Sequence, residues 1–139
     1  MDLPTFLRDT LGTSPQHRRF YHFTDRKNLD SIRASGLLCT YELRRRNMLG
    51  NVTTGGDSNS LASDIASGTD RYVCLCFTTG HPMTYIARTQ RGLDPVYLHI
   101  NPNVLLLPNV MITAAPSNQT GVAKVAAASA LDNLDLEVI

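Results

Sequence analysis

The run Phe20-Tyr21-His22-Phe23-Thr24-Asp25, followed within a turn by Asn28-Leu29-Asp30-Ser31-Ile32-Arg33-Ala34-Ser35-Gly36-Leu37-Leu38, limits the folds open to this 139-residue chain more than any other segment. Phe20, Tyr21 and Phe23 favour a pleated strand. His22 and Thr24, two residues apart, then point to the same side of it. Asn28, Leu29, Ile32 and Leu37 recur at helical spacing, and Gly36 is a natural helix terminator. A strand that leads at once into an amphipathic helix is therefore the first expectation. On this segment alone, the plainer reading of His22 is a hydrogen-bonded core histidine.

The rest of the chain supplies a mixed pattern. Residues 2–12 read as a short helix with Leu3, Phe6, Leu7 and Leu11 on one side and Gly12 as its stop. Residues 40–48 continue as a second helix that carries Arg44-Arg45-Arg46. The polar stretch from Gly50 to Gly68, with four glycines, reads as a functional loop. Tyr72-Val73-Cys74-Leu75-Cys76-Phe77 is short and continuously apolar, which suits a central strand buried on both faces. Pro82 opens a helix through Arg88 at a tolerated first-turn position. Pro95 to Ile100 is a strand stopped by Asn101-Pro102-Asn103, and two short strand or turn segments follow, Val104 to Leu107 and Val110 to Thr113. The alanine-rich stretch from Gly121 to Leu134 is expected to be helical.

Composition narrows the class. With 42% hydrophobic residues and no uninterrupted apolar run of the roughly 18 residues a membrane span needs, the expectation is one soluble domain over residues 1–139. The opening Met1-Asp2-Leu3-Pro4 lacks a basic region followed by an apolar one, so a cytoplasmic location is expected. Three cysteines, Cys39, Cys74 and Cys76, read as buried reduced thiols rather than a metal site, because no second Cys/His pair stands at zinc-binding spacing. Net charge is only +1, but twelve of the thirteen basic residues precede Gly92, eleven of the thirteen being Arg. Arg18-Arg19 and Arg44-Arg45-Arg46 can grip phosphate through fork-shaped guanidinium contacts or simply form a solvated helix face, and the sequence leaves both open. A serine hydrolase is excluded as a reading, since no Gly-x-Ser-x-Gly elbow is present.

Three segments in order give these pieces a common sense: Tyr21-His22-Phe23-Thr24 with Asn28-Leu29-x-x-Ile32 and Gly36-Leu37-Leu38; the apolar run ending in Phe77 followed by Pro82-Met83-x-Tyr85; and Tyr97-Leu98 leading to Val110-Met111-Ile112-Thr113. Together the chain resembles the DarT-type DNA ADP-ribosyltransferases, toxins that use NAD to modify a base in single-stranded DNA. The resemblance implies an α+β fold, an ADP-ribosyltransferase-like split β-sheet core with flanking helices. It implies that His22 and Thr24 contact the adenosine part of NAD, that Leu38 lies against the cofactor, and that Arg45 and Arg46 serve the diphosphate and the reaction centre. It also implies single-stranded nucleic acid as acceptor, a neutralising antitoxin or immunity protein as partner, and no membrane association.

Two departures from the family pattern bear on the site. Cys76 stands where the family places a Tyr before the strand-ending Phe, which passes the nicotinamide-stacking role to Phe77, Tyr85 or Tyr72. The family's catalytic Glu lies on a later strand, beyond a segment resembling Leu134 to Ile139. Only Glu42 and Glu137 are present. Glu42, beside the arginines, reads as a helix-surface ion pair. Glu137 is then the candidate base, unless the chain is a truncated piece of a longer transferase, which is the expectation the resemblance favours. The competing function is a non-catalytic module of the same fold that binds NAD, nucleic acid or a partner protein, or a transferase with a protein or RNA acceptor.

Overall fold

The computed structural model describes residues 2–12, 18–56, 58–80, 82–113 and 122–131. Within them the chain forms helices α1 (Leu3–Phe6), α2 (Leu29–Ser35), α3 (Thr40–Arg45), α4 (Ser58–Ser67), α5 (Pro82–Gln90) and α6 (Ala127–Ala130). The strands are β1 (Phe20–Asp25), β2 (Pro95–Ile100), β3 (Met111–Ile112) and β4 (Val125–Ala126). β1 pairs with β2, and β3 pairs antiparallel with β4. Helices and small sheets share one chain without βαβ repetition, which is the expected α+β class. No helix among the described residues is long and apolar enough to cross a membrane.

The chain divides into two compact units. The first comprises Met1–Tyr21, Cys76–Thr79 and His99–Ile139, and its core is apolar. Phe6, Leu11, Phe20, Leu105, Ile112, Ala127, Ala130 and Leu131 are buried there. The Phe20 and Phe77 rings meet edge to face, 5.3 Å between centroids, the arrangement their quadrupoles favour. Tyr21 and Cys76 exchange both backbone hydrogen bonds, at 2.9 and 2.7 Å, in an isolated antiparallel bridge.

The second unit, His22–Leu75 with Gly80–Leu98, is built differently. Its buried apolar side chains among the described residues are Leu43 and Ala87, whereas Thr24, Asp25, Asn28, Thr69, Asp70 and Thr84 are all buried polar groups. Burying an oxygen or nitrogen without a partner costs about 1–3 kcal/mol, so each must be answered inside the unit. Each is. Asp25 accepts from the Lys27 and Asp94 amides, Thr84 from the Tyr97 hydroxyl, Thr69 bonds Ser67, and Asp70 takes Arg44. Thr24 and Asn28 bond each other. Polar complementarity carries the specificity that an apolar core carries in the first unit.

Several elements follow their local signals. α2 ends at Gly36, whose φ of 85° lies in the left-handed region that side chains with a Cβ resist, and whose amide donates to the Ile32 carbonyl. α3 ends in a Schellman arrangement: Asn47 takes φ 58°, its amide reaches the Arg44 carbonyl, and the Met48 amide reaches the Leu43 carbonyl.

Four expectations are corrected. The stretch from Gly50 to Gly68 is not a continuous loop, because its glycines flank α4, where Leu61 and Ile65 stand one turn apart. Tyr72 to Phe77 is not a two-sided buried strand: it pairs only at Cys76, and Tyr72 and Cys74 are exposed. A short apolar run reads the same whether or not a neighbour pairs with it. The cysteines are accordingly not buried, Cys39 and Cys76 being half-buried. In the alanine-rich stretch, Val125 and Ala126 pair with β3 and only Ala127–Ala130 is α-helical; 132–134 lie outside the described residues.

Candidate functional site

His22 and Thr24 stand on one face of β1. His22 is half-buried, and its Nδ1 lies 2.9 Å from the Cys74 carbonyl oxygen. A carbonyl can only accept, so Nδ1 carries the proton and the neutral ring keeps Nε2 as an acceptor. Thr24 is buried, and its Oγ1 accepts from the Asn28 Nδ2 at 3.0 Å, leaving the hydroxyl proton for another acceptor. One strand face thus offers an acceptor and a donor about 6–7 Å apart along the backbone.

Burial holds the His22 imidazole below its ordinary pKa, an effect only partly offset by the bond to the Cys74 carbonyl, which favours the charged ring. The consequence for stability has a definite sign. As pH falls, the unfolded chain takes up the His22 proton first, near its ordinary value of about 6.5, while the folded chain resists it. Stability is therefore expected to be level above about pH 6.5 and to decline below it. Urea unfolding of wild type and His22→Gln across this range checks the point: the variant should lack this part of the decline, and parallel curves would refute it.

Asn28 is the hub of the neighbourhood. It is 5% exposed, donates from Nδ2 to Thr24 Oγ1 and to the Thr53 carbonyl at 2.6 Å, and accepts the Thr53 amide on Oδ1 at 2.9 Å. The segment Val52 to Gly56 is thereby strapped beside Thr24. Arg91 pins it again, with Nη1 donating to the Thr54 and Gly55 carbonyls at 3.1 and 2.5 Å. Gly55 fits because a Cβ there would lie only 3.1 Å from the Phe23 ring. Sequence reading missed both anchors. Asn28 had the visible signal of an amide at a helix start four residues after Thr24; Arg91 had none.

The three consecutive arginines have separate fates. Arg44 is tied to the buried carboxylate of Asp70. Arg45 grips Glu42 with Nε and Nη2, at 3.0 and 2.5 Å, and Arg46 reaches it with Nε at 2.8 Å. Both guanidinium groups hold the Glu42 carboxyl well below its usual range, at about 2, so it remains ionised throughout the physiological range. Glu42 is thus the helix-surface ion-pair residue its position suggested. Each of its two arginines keeps further N–H groups for an anion: Nη1 on Arg45 and both Nη groups on Arg46.

The remaining sequence candidates divide by location. Leu38 is half-buried in the turn between Gly36 and α3. Phe77 belongs to the first unit, where its ring meets Phe20. Tyr85 is on α5 and 66% exposed. Glu137 lies outside the described residues. His22, Thr24, Leu38, Arg45 and Arg46 all belong to the second unit, within the chain segment 22–75, with Tyr85 on a helix surface of the same unit.

A family model described as "ssDNA thymidine ADP-ribosyltransferase, DarT" matches residues 21–139. No curated protein and no solved structure matches the chain.

Proposed function

The chain belongs to the DarT family of single-stranded-DNA thymidine ADP-ribosyltransferases, and from that premise we propose that the His22–Thr24 face of β1 seats the adenosine ribose of NAD. The enzyme transfers ADP-ribose from NAD to thymidine in single-stranded DNA, with loss of nicotinamide. A ribose diol both donates and accepts hydrogen bonds. Among the described residues Nε2 of His22 and the hydroxyl proton of Thr24 are left without a partner and answer it in kind, and this acceptor–donor pair is the observation that carries the reading. Leu38 supplies an apolar wall. Arg45 and Arg46, already turned to a common anion by Glu42, offer their remaining N–H groups to the diphosphate, and Arg46 extends to the ribose that loses nicotinamide. Arg44 takes no part, being committed to Asp70. Holding the dinucleotide at both ends aligns the glycosidic bond with the acceptor base, and such positioning lowers the barrier by removing the entropy cost of bringing the reactants together. A thymine can reach such a site only when unstacked, which suits a single strand. On this reading Phe77 and Glu137 remain candidates for the nicotinamide side and the base, the protein acts in the cytoplasm as a toxin, and a neutralising protein partner accompanies it.

Calorimetric titration of NAD into wild type and His22→Ala tests the assignment. The variant should keep its circular dichroism and bind NAD roughly ten-fold more weakly, the size of one lost hydrogen bond. Labelled NAD should mark a thymidine-containing oligonucleotide and spare one without thymidine. Unchanged NAD affinity in a folded His22→Ala chain would overturn the seat proposed for the ribose.

A further inference from the structure

The second unit carries eight arginines, and seven of them are engaged. Arg26 pairs with Asp94, Arg33 with Asp30, Arg44 with Asp70, and Arg45 and Arg46 with Glu42; Arg71 lies 4.1 Å over the Tyr41 ring, and Arg91 holds two carbonyls. Arg88 alone has no ion pair, ring or hydrogen-bond partner among the described residues, and it is exposed. It stands three residues after Tyr85, whose side chain is more exposed than any other large apolar one among the described residues.

Helical spacing puts these two features side by side. Thr84 and Ala87 are the buried positions of α5, whereas Tyr85 and Arg88, three residues apart, are exposed beside them, their Cβ atoms about 5–6 Å apart. The helix is a fixed support. Thr84 takes the Tyr97 hydroxyl at 2.7 Å, and the Leu93 amide caps the Ala87 carbonyl at 3.1 Å. The exposed Tyr85 ring leaves apolar area in water, and the Arg88 guanidinium beside it, without an ion pair among the described residues, attracts an anion. A single-stranded nucleic acid presents both complements in each nucleotide, a base with a π-face and a phosphate.

We propose that the outer face of α5 is a docking platform for single-stranded DNA, with a base flanking the target thymidine stacked on Tyr85 and the adjoining phosphate held by Arg88. The inference rests on the transferase reading and extends it by placing the acceptor strand on this surface. It also assigns Tyr85 to DNA instead of to nicotinamide, in keeping with a ring that is two-thirds exposed.

Fluorescence anisotropy of a labelled, mixed-sequence, thymidine-containing oligodeoxynucleotide with the full chain tests it. Tyr85→Ala should weaken binding roughly ten-fold, the scale of one lost base stack, while Tyr85→Phe stays within about two-fold of wild type. Arg88→Gln should lower the slope of log affinity against log salt by about 0.7, one phosphate contact on a single strand, with Arg88→Lys retaining it. Both positions are exposed, so thermal midpoints should match wild type. If wild type binds the oligonucleotide and Tyr85→Ala and Arg88→Gln bind it equally well, the platform is refuted and the transferase reading stands. If Tyr85→Ala weakens NAD titration while sparing oligonucleotide binding, the ring belongs to the cofactor and the platform is refuted. If wild type neither binds the oligonucleotide nor transfers to it, the platform and the reading beneath it fall together.

Discussion

Replacing Asn28 by Ala is expected to lower the unfolding free energy by about 3 kcal/mol and to weaken NAD binding in whatever fraction stays folded. The stability loss follows from what the side chain holds. Three hydrogen bonds vanish at a side chain 5% exposed, and the half-buried Thr53 amide and carbonyl and the buried Thr24 hydroxyl lose that partner. Each orphaned group costs about 1–3 kcal/mol, reduced where the strap relaxes outward to find solvent. The effect on binding follows from the same geometry. Asn28 donates to Thr24 Oγ1 and so keeps the hydroxyl proton away from its own side of that oxygen; without it that proton has the vacated space to turn into. Asn28→Asp separates the contributions, since it keeps an acceptor for the Thr53 amide, loses both donations and adds a buried charge; it should be at least as unstable as the alanine variant. Urea unfolding reads both as a lowered midpoint at constant slope. A midpoint within 0.5 kcal/mol of wild type, by the linear-extrapolation scale, would show that the strap is not held by this amide.

Arg44→Ala is expected to cost about 2–3 kcal/mol, whereas Arg45→Ala, one residue along, should cost under about 0.5 kcal/mol. The contrast lies in the partners. Asp70 has 5% of its side chain exposed, so removing Arg44 strands a carboxylate in a place that water cannot reach. The figure is below the full penalty for a buried pair because a third of the Arg44 side chain is itself exposed. Arg45 is 60% exposed and shares Glu42 with Arg46, so its loss is covered by the neighbour and by solvent. The double variant Arg44→Met/Asp70→Leu should recover most of the loss, since an apolar pair of similar volume leaves no stranded charge. The same series in the transfer assay should invert the order: Arg46→Ala is expected to lower activity at near-native stability, Arg44→Ala to lower stability first. Equal stability losses for Arg44→Ala and Arg45→Ala would show that the triplet acts as one charged patch.

β1, α2, α5 and β2 were legible in the residues because their causes are local. The strand-forming aromatics Phe20, Tyr21 and Phe23, the stop at Gly36 and Pro82 at a helix start act within a few positions of themselves. The α+β class and the family resemblance followed from the order of such segments, and the match over residues 21–139 agrees with them. The central strand expected at Tyr72 to Phe77 and the loop expected over Gly50 to Gly68 failed for one reason. Apolar run length and glycine content report what a segment tolerates, and pairing depends on a neighbour elsewhere in the chain.

The site divides along the same line. That His22 and Thr24 share a strand face is determined by the sequence alone, since the period of a strand is two. Which nitrogen of His22 is left open depends on the Cys74 carbonyl 52 residues away. That Asn28 is a hub depends on Thr53, 25 residues on, and that Arg44 is structural while Arg45 and Arg46 face Glu42 depends on Asp70, 26 residues on. Residue type sets which hydrogen bonds and charges a side chain can offer. Only chain folding brings the distant group that takes them, and burial at that point decides whether the pairing is worth a few tenths of a kcal/mol or several.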